Sequence, residues 1–388
     1  MNSTPGLSRT TSVPEVTTDS SNAESLLVDG WSYKKLAVSY LSLGHPDLVN
    51  DASATTLCLL ILGWVFAVIV LGLAVVYWVV RTIAPFPRPV EESEETYVTV
   101  VGKEVSEARP LPKITDEASL FLSVVIPAYN ETERLPIMLE ETVKVLREWK
   151  IDGKSVTWEI LLVDDGSKDQ TVEVGLTFAS ENNVPENQFR VCQLVKNRGK
   201  GGAVTHGMQR CRGEYIIFAD ADGASEFSDV KNLYGEITQL NSDWGRIALG
   251  SRAHMVSTDA VVKRSLIRNL LMYGLHTLLY IFGIRSIGDT QCGFKMFDRE
   301  AVAKIFPFMH TEGWIFDVEV LIIGERKGLA VVEVPISWHE VDGSKMVLAR
   351  DSIKMAIDLI TIRVAYAFGI YRDGSKGTAK AFLEKKEQ

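Results

Sequence analysis

From Thr55 to Val80 the chain reads TTLCLLILGWVFAVIVLGLAVVYWVV, without one charged residue. At about 1.5 Å of helical rise per residue, such a run crosses a hydrocarbon core of about 30 Å. Core helices of soluble proteins do not stay uncharged over that distance. A signal peptide starts nearer the first residue and has a shorter apolar stretch. The run therefore predicts a transmembrane helix over 53–81, and the remaining chain must fold on either side of it.

Flanking charge gives the orientation. Within about 20 residues upstream stands Lys35, with Asp47 and Asp51 nearby; downstream come Arg81 and Arg88. The positive-inside rule then puts the long C-terminal part in the cytosol, and residues 1–52, rich in Ser, Thr and Asn, become a disordered luminal tail. The four cysteines, Cys58, Cys192, Cys211 and Cys292, form no CxxC pair, which fits a reducing compartment. Asn130-Glu131-Thr132 is a glycosylation acceptor sequence that a luminal location would leave open to modification. A net charge of −9 argues against a general nucleic-acid binder.

Residues 82–117 carry Pro85, Pro87, Pro89, the acidic run Glu91-Glu92-Ser93-Glu94-Glu95, then Pro110 and Pro112. They read as a stiff, solvated linker with at most an edge strand around Tyr97–Val101. From 118 to 348 the texture becomes that of an α/β domain. Strands are expected at Phe121–Ile126, Trp158–Val163, Phe189–Val195 and Tyr215–Phe218. Helices are expected at Glu131–Trp149, Lys168–Ser180 and Gly201–Arg212. Strands nearly continuous in Val, Ile and Leu are covered on both faces, and β-α-β alternation implies a Rossmann-like, doubly wound, mostly parallel sheet. Ligands of such sheets bind beyond the carboxyl ends of the strands at a topological switch point.

The expected strand ends carry carboxylates. The first runs into Pro127-Ala128-Tyr129-Asn130-Glu131, the second into Asp164-Asp165-Gly166-Ser167, the fourth into Asp220-Ala221-Asp222-Gly223. One acidic strand end is often only a helix cap, as Asp165 or Ser167 could be. Several at one edge repel one another unless a cation is bound. In extended backbone Asp220 and Asp222 point the same way, so both can face Mg²⁺ or Mn²⁺, hard ions that share their shell with phosphates. Between these ends, Asn197-Arg198-Gly199-Lys200-Gly201-Gly202-Ala203 opens a helix whose N-terminus, with Arg198 and Lys200, suits a diphosphate. It lacks the G-K-[ST] ending of a Walker loop and the third glycine of a dinucleotide fingerprint.

Taken together, S-V-V-I-P-A-Y-N-E, V-D-D-G-S-K-D-Q-T, N-R-G-K-G-G-A, A-D-A-D-G-A, G-S-R and D-T-Q-C-G-F-K resemble the inverting family-2 glycosyltransferases of GT-A fold, from Leu120 to Arg372. N-R-G-K-G-G-A and D-T-Q-C-G-F-K, with W-I-F-D-V-E, look like the members that move glucose rather than mannose. The resemblance implies transfer from UDP-glucose to dolichyl phosphate at the cytosolic face of the endoplasmic reticulum membrane, giving dolichyl β-D-glucosyl phosphate for N-glycan precursor assembly. It also implies residue roles. Pro127, Tyr129, Glu131 and Asp165 would line the uridine pocket with Asp164 in support, and Asp220 and Asp222 would hold the metal. Arg252, Lys263 and Arg264 would face the acceptor phosphate. Gln291 and Lys295 would approach the sugar or diphosphate, and Asp317 or Glu319 would stand where an enzyme with a hydroxyl acceptor keeps its base. A phosphate monoester is already largely ionised near neutral pH, so Asp317 is expected to orient rather than deprotonate. The alternatives are a polyprenyl-phosphate mannosyltransferase using GDP-mannose and an inactive membrane scaffold of the same fold.

Leu266–Ile284 and Asp351–Tyr371 read as amphipathic, either as interfacial helices or as core packing. Residues 349–388 are thus expected to be a membrane-interface helix and a basic tail. Its end, Lys385-Lys386-Glu387-Gln388, looks like a cytosolic retrieval signal. His206 and His339 have no metal-ligating spacing.

Overall fold

The computed structural model describes residues 54–257, 287–341 and 348–374, together with Gly274, Gly343 and Lys345. The expected tail over 1–52, Lys263, Arg264, nearly all of 266–284 and the final lysines lie outside the described residues. The chain divides into two compact units, up to Trp78 and from Val79 onward.

Helix α1, Ala54–Ile83, contains the apolar run; 18 consecutive residues within Thr56–Ile83 have mean hydropathy 3.0 and none of them is buried. It is a candidate membrane span, and its few buried side chains come only at its end. Val80, with Ala84 just beyond, belongs to the core of the second unit.

That unit is built on a ten-stranded sheet. Its elements in chain order are β1 (Thr96–Val101), β2 (Glu104–Val105), β3 (Arg109–Pro110), β4 (Leu120–Ala128), α2 (Leu135–Glu148), a small hairpin of β5 (Lys150–Ile151) and β6 (Lys154–Ser155) outside the sheet, β7 (Trp158–Asp164), α3 (Thr171–Glu181), β8 (Phe189–Gln193) and α4 (Lys200–Met208). There follow β9 (Gly213–Ala219), α5 (Val230–Gln239), β10 (Arg246–Ser251), β11 (Phe294–Asp298), α6 (Arg299–Ile305), α7 (Phe316–Arg326), β12 (Ala330–Pro335) and α8 (Leu348–Ala367).

The order is β12-β10-β11-β9-β4-β7-β8-β1-β2, with β3 on β1. Strands β8, β7, β4 and β9 are mutually parallel. β4 therefore has its successor β7 on one side and β9 on the other, and that reversal is the switch point. The sheet is mixed at its flanks: β11 runs against both β9 and β10, and β1 runs against β8. Every residue of β7 is buried, which is why its sequence shows no alternation. In α2, Leu135, Met138, Leu139, Thr142, Val143 and Leu146 form the inward stripe, and a proline in its first turn supplies a preset φ. One hydrophobic cluster fills each face of the sheet: α4, α6, α7 and α8 cover one, α2 and α5 the other.

Residues 82–117 differ from the expected linker. They form a 3₁₀ turn at Glu92–Glu95 and then β1–β3, with Glu94, Thr99, Val100, Leu111 and Ile114 buried. Of its prolines, Pro110 ends β3, while Pro87 and Pro89 stay exposed in the irregular chain before the turn. Strands β10–β12 were not marked in the sequence; Lys295 and Asp298 sit inside β11 and hide its apolar character.

Candidate active site

The switch point brings the acidic strand ends to one edge. The loops after β4 and β7 are stitched together: Asn130, at φ 55°, donates its amide to Ser167 Oγ at 2.9 Å, and its side chain accepts from the Lys168 amide at 2.8 Å. Asp164 receives the Ser167 amide on both oxygens at 3.2 and 3.3 Å, so it closes its own turn. Burial pushes its carboxyl above the usual range.

Asp165 spans from β7 to the Gly-rich segment. Its carboxylate accepts the amides of Arg198 at 2.7 Å and Gly199 at 2.9 Å. Burial outweighs those donors and pushes it up to about 7. Glu131 is buried and held bidentately by Arg134 at 2.6 and 2.7 Å; burial raises it as well. Arg134 also reaches to 4.0 Å from Asp222. Pro127 and Tyr129 are half-buried beside them. Nothing in the spacing distinguished Arg134 from an ordinary basic residue at the start of a helix.

The Gly-rich segment behaves differently from its sequence reading. Gly199, at φ 89°, and Gly201 have no room for a side chain: a Cβ would come to 2.7 Å from the Glu312 carbonyl oxygen and 2.5 Å from Phe316 Cβ. The glycines let α4 seat against the 312–316 segment. Arg198 turns its guanidinium away from the strand ends, to Glu312 at 3.0 Å and Glu94 at 3.2 Å, with its side chain only 5% exposed. Lys200 turns toward them. Its Nζ lies 2.7 and 2.9 Å from the two oxygens of Asp220, and burial, which works against its charge, is overcome by Asp220 and Asp317.

Asp220 and Asp222 have side chains 34% and 30% exposed, so both open to the crevice. Asp222 accepts the Ala224 amide at 3.0 Å, and burial followed by the charge of Asp220 raises its pKa. Gly293, ahead of β11, leaves Asp220 its place, since a Cβ would fall 1.9 Å from Asp220 Oδ2 and push that carboxylate aside. Excess negative charge on two half-open carboxylates fits a divalent cation. Among the described residues no group of three or more His, Cys, Asp or Glu gathers for a metal. A cation there would complete its shell with water and ligand oxygens, as Mg²⁺ commonly does.

The antiparallel course of β11 brings residues 289–293 to the same edge. Arg252, just past β10, is gripped by Asp289 at 2.7 and 3.0 Å and lies 5.4 Å over the Trp338 ring. The pair raises the arginine and lowers the aspartate despite burial. Gln291 is half-buried against Met355 of α8 at 3.9 Å. Lys295 is fully buried, donating to Asp317 and to the Cys292 carbonyl at 2.5 Å. Burial raises Asp317, with Lys295 pulling it back. Neither is open to a ligand as it stands; breaking such a buried pair typically costs about 3–5 kcal/mol. Glu319 accepts from Thr311, His310 and Tyr366 and is spent on that network.

Residues 123–306 match the profile of Glycosyl transferase family 2. The dolichyl-phosphate beta-glucosyltransferase of Saccharomyces cerevisiae is 52% identical over 322 residues, covering 80% of this chain and 95% of that one. The protein of that name from Drosophila melanogaster is 39% identical, with 86% and 99% covered. Among solved structures, glucosyl-3-phosphoglycerate synthase from Mycobacterium tuberculosis aligns with a TM-score of 0.45 and 19% identity over 63% of this chain and 81% of that one. The match of four fifths or more of the chain to the yeast and fly proteins leads to one assignment: the chain belongs to the dolichyl-phosphate β-glucosyltransferases of glycosyl transferase family 2.

Proposed function

We propose that the protein transfers glucose from UDP-glucose to dolichyl phosphate with inversion at the anomeric carbon. The observation that carries this reading is the 2.7 Å approach of Lys200, from the Gly-rich helix start, to Asp220 after β9. It joins an anion-attracting helix terminus to a cation-attracting pair across one crevice, the requirement for holding a nucleoside diphosphate. The uridine would lie against Pro127, Tyr129 and Asp165. Asp220 and Asp222 would hold Mg²⁺ or Mn²⁺, which supplies charge stabilisation to the departing diphosphate. Lys200 adds positive charge beside the same group.

The acceptor carries its own nucleophile. A phosphate monoester with a second pKa of about 6 attacks as an anion, so no protein base or covalent intermediate is needed. Arg252, oriented by Asp289, is the described cation suited to receive that phosphate, with Lys263 and Arg264 proposed alongside. Gln291 and the Lys295–Asp317 pair would shape the sugar end. The lipid would arrive along α8, whose Ile353, Ile357 and Ile360 are exposed at 56%, 53% and 43% on one stripe. We propose that the protein sits in the endoplasmic reticulum membrane with this unit cytosolic, on the ground of the charge flanking the apolar helix.

Microsomes carrying Asp220→Ala or Asp222→Ala provide the test. Metal-dependent glucosyl transfer is expected to fall at least about 100-fold while expression and membrane insertion persist. Unchanged transfer in both variants removes the mechanism. Turnover of GDP-mannose in preference to UDP-glucose would establish the mannosyl alternative instead.

A further inference from the structure

The segment that leaves the membrane helix closes behind the Gly-rich loop. Glu94 is 0% exposed, and both its carboxylate oxygens are occupied. One accepts from Arg88 Nη2 at 2.6 Å and the Val195 amide at 2.9 Å; the other accepts from Arg198 Nη2 at 3.2 Å and the Glu91 amide at 3.1 Å. Burial opposes ionisation, but the Glu91 and Val195 amides with Arg198 and Arg88 hold its pKa below the usual range. Arg88 donates to the Lys196 carbonyl at 2.8 Å, and Arg198 to that of Pro89 at 2.8 Å. The backbone carbonyl of Glu94 takes His206 Nε2, on α4, at 2.8 Å.

These bonds converge on residues 195–198, immediately before the helix start that carries Lys200. From the other side Asp165 holds the amides of Arg198 and Gly199. The loop is thus gripped in front by Asp165 and behind by Glu94 and Arg88, which hold the Val195 amide, the Lys196 carbonyl and the Arg198 side chain. Packing does not substitute for the rear grip. A cavity of about 240 Å³ lies between the strap, α4 and residues 306–312, lined by Arg88, Arg198, Thr205, His206 and Glu312. The Nε atoms of Arg88 and Arg198 have no partner there. Its three arginines, Arg88, Arg198 and Arg210, are matched by Glu94, Glu312 and Glu95, so it has no excess charge with which to capture an anion.

We infer that the juxtamembrane strap Arg88–Glu95 is a positioning element of the donor site, with Glu94 acting through Arg198 to fix the amides of residues 198–199 and Lys200 where the donor diphosphate binds. The inference rests on the donor reading above. Arg198, expected from sequence to touch the diphosphate, then works at one remove, and the segment expected to be a stiff, solvated linker becomes part of the enzyme.

The experiment uses full-length protein in detergent, with UDP binding by calorimetry in the presence of Mn²⁺ and steady-state kinetics in UDP-glucose and dolichyl phosphate. Glu94→Gln keeps the size and removes the charge; Arg198→Lys keeps the charge and removes the fork. Each is expected to weaken UDP binding and raise the donor KM about tenfold, with the dolichyl phosphate KM unmoved. The doubly changed Glu94→Gln/Arg198→Lys protein is expected to be no worse than the poorer single variant, because one interaction is lost in each. A purely structural strap would instead lower the active fraction with both KM values unchanged, and that result overturns the inference, as would wild-type UDP affinity in the folded variants. If Glu94→Gln fails to fold, Arg198→Lys alone decides by the same readouts. If wild-type protein binds no UDP, the donor reading itself falls.

Discussion

Asp165 has the same residue type as Asp220 and Asp222, yet its environment gives it a different part. It is buried, bridges two loops through backbone amides, and has its carboxyl pushed up to about 7. A carboxyl raised on folding binds its proton more tightly folded than unfolded. Through this group stability therefore falls as pH rises from about 4 to 7, and is level above that. Asp165→Asn is expected to flatten this slope, checked by thermal unfolding of the full-length protein between pH 4.5 and 8. An undiminished slope would mean that other carboxylates generate it. Lys295 shows the same dependence on surroundings: an apparent ligand-facing cation in sequence, it is sealed against Asp317 beneath the site.

Helix α8 shows how an element divides its surface. Met355, Leu359, Ile362, Ala365 and Tyr366 enter the core, while Ile353, Ile357 and Ile360 stay outside. The amphipathic division expected of Asp351–Tyr371 runs differently here: Asp351 is buried and the outer stripe is apolar. Near its end Tyr371 donates to the Pro85 carbonyl at 2.5 Å and stacks on His310, so α8 finishes beside the chain leaving α1. Seating an isoleucine in lipid gains about 1.5–3 kcal/mol. Replacing all three by serine is expected to raise the KM for dolichyl phosphate in bilayers severalfold and leave the UDP-glucose KM alone. With a short-chain polyprenyl phosphate in detergent the difference should vanish. Equal bilayer KM values would show that this stripe does not meet lipid.

For the molecule entire, the orientation read from Arg81 and Arg88 has a direct check. In sealed microsomes, protease added outside is expected to digest the unit from Val79 onward and to spare an N-terminal fragment ending within α1. Protection of the larger unit would reverse the topology. Much of the architecture was legible beforehand. The long apolar helix, the β4–α2–β7–α3–β8–α4–β9 succession and the acidic strand ends are local or periodic features, fixed by residues close together in the chain. Length without charge, apolar runs and an Asp-x-Asp after a strand need no knowledge of distant partners. What stayed hidden was pairing across sequence distance: Glu94 with Arg198, Arg134 with Asp222, Arg252 with Asp289, Lys295 with Asp317. Whether a charged side chain faces a ligand or is consumed by a neighbour depends on which strands the topology makes adjacent and how much water remains between them. Only the folded sheet, with β9 beside β4 and β11 running back against it, settles that.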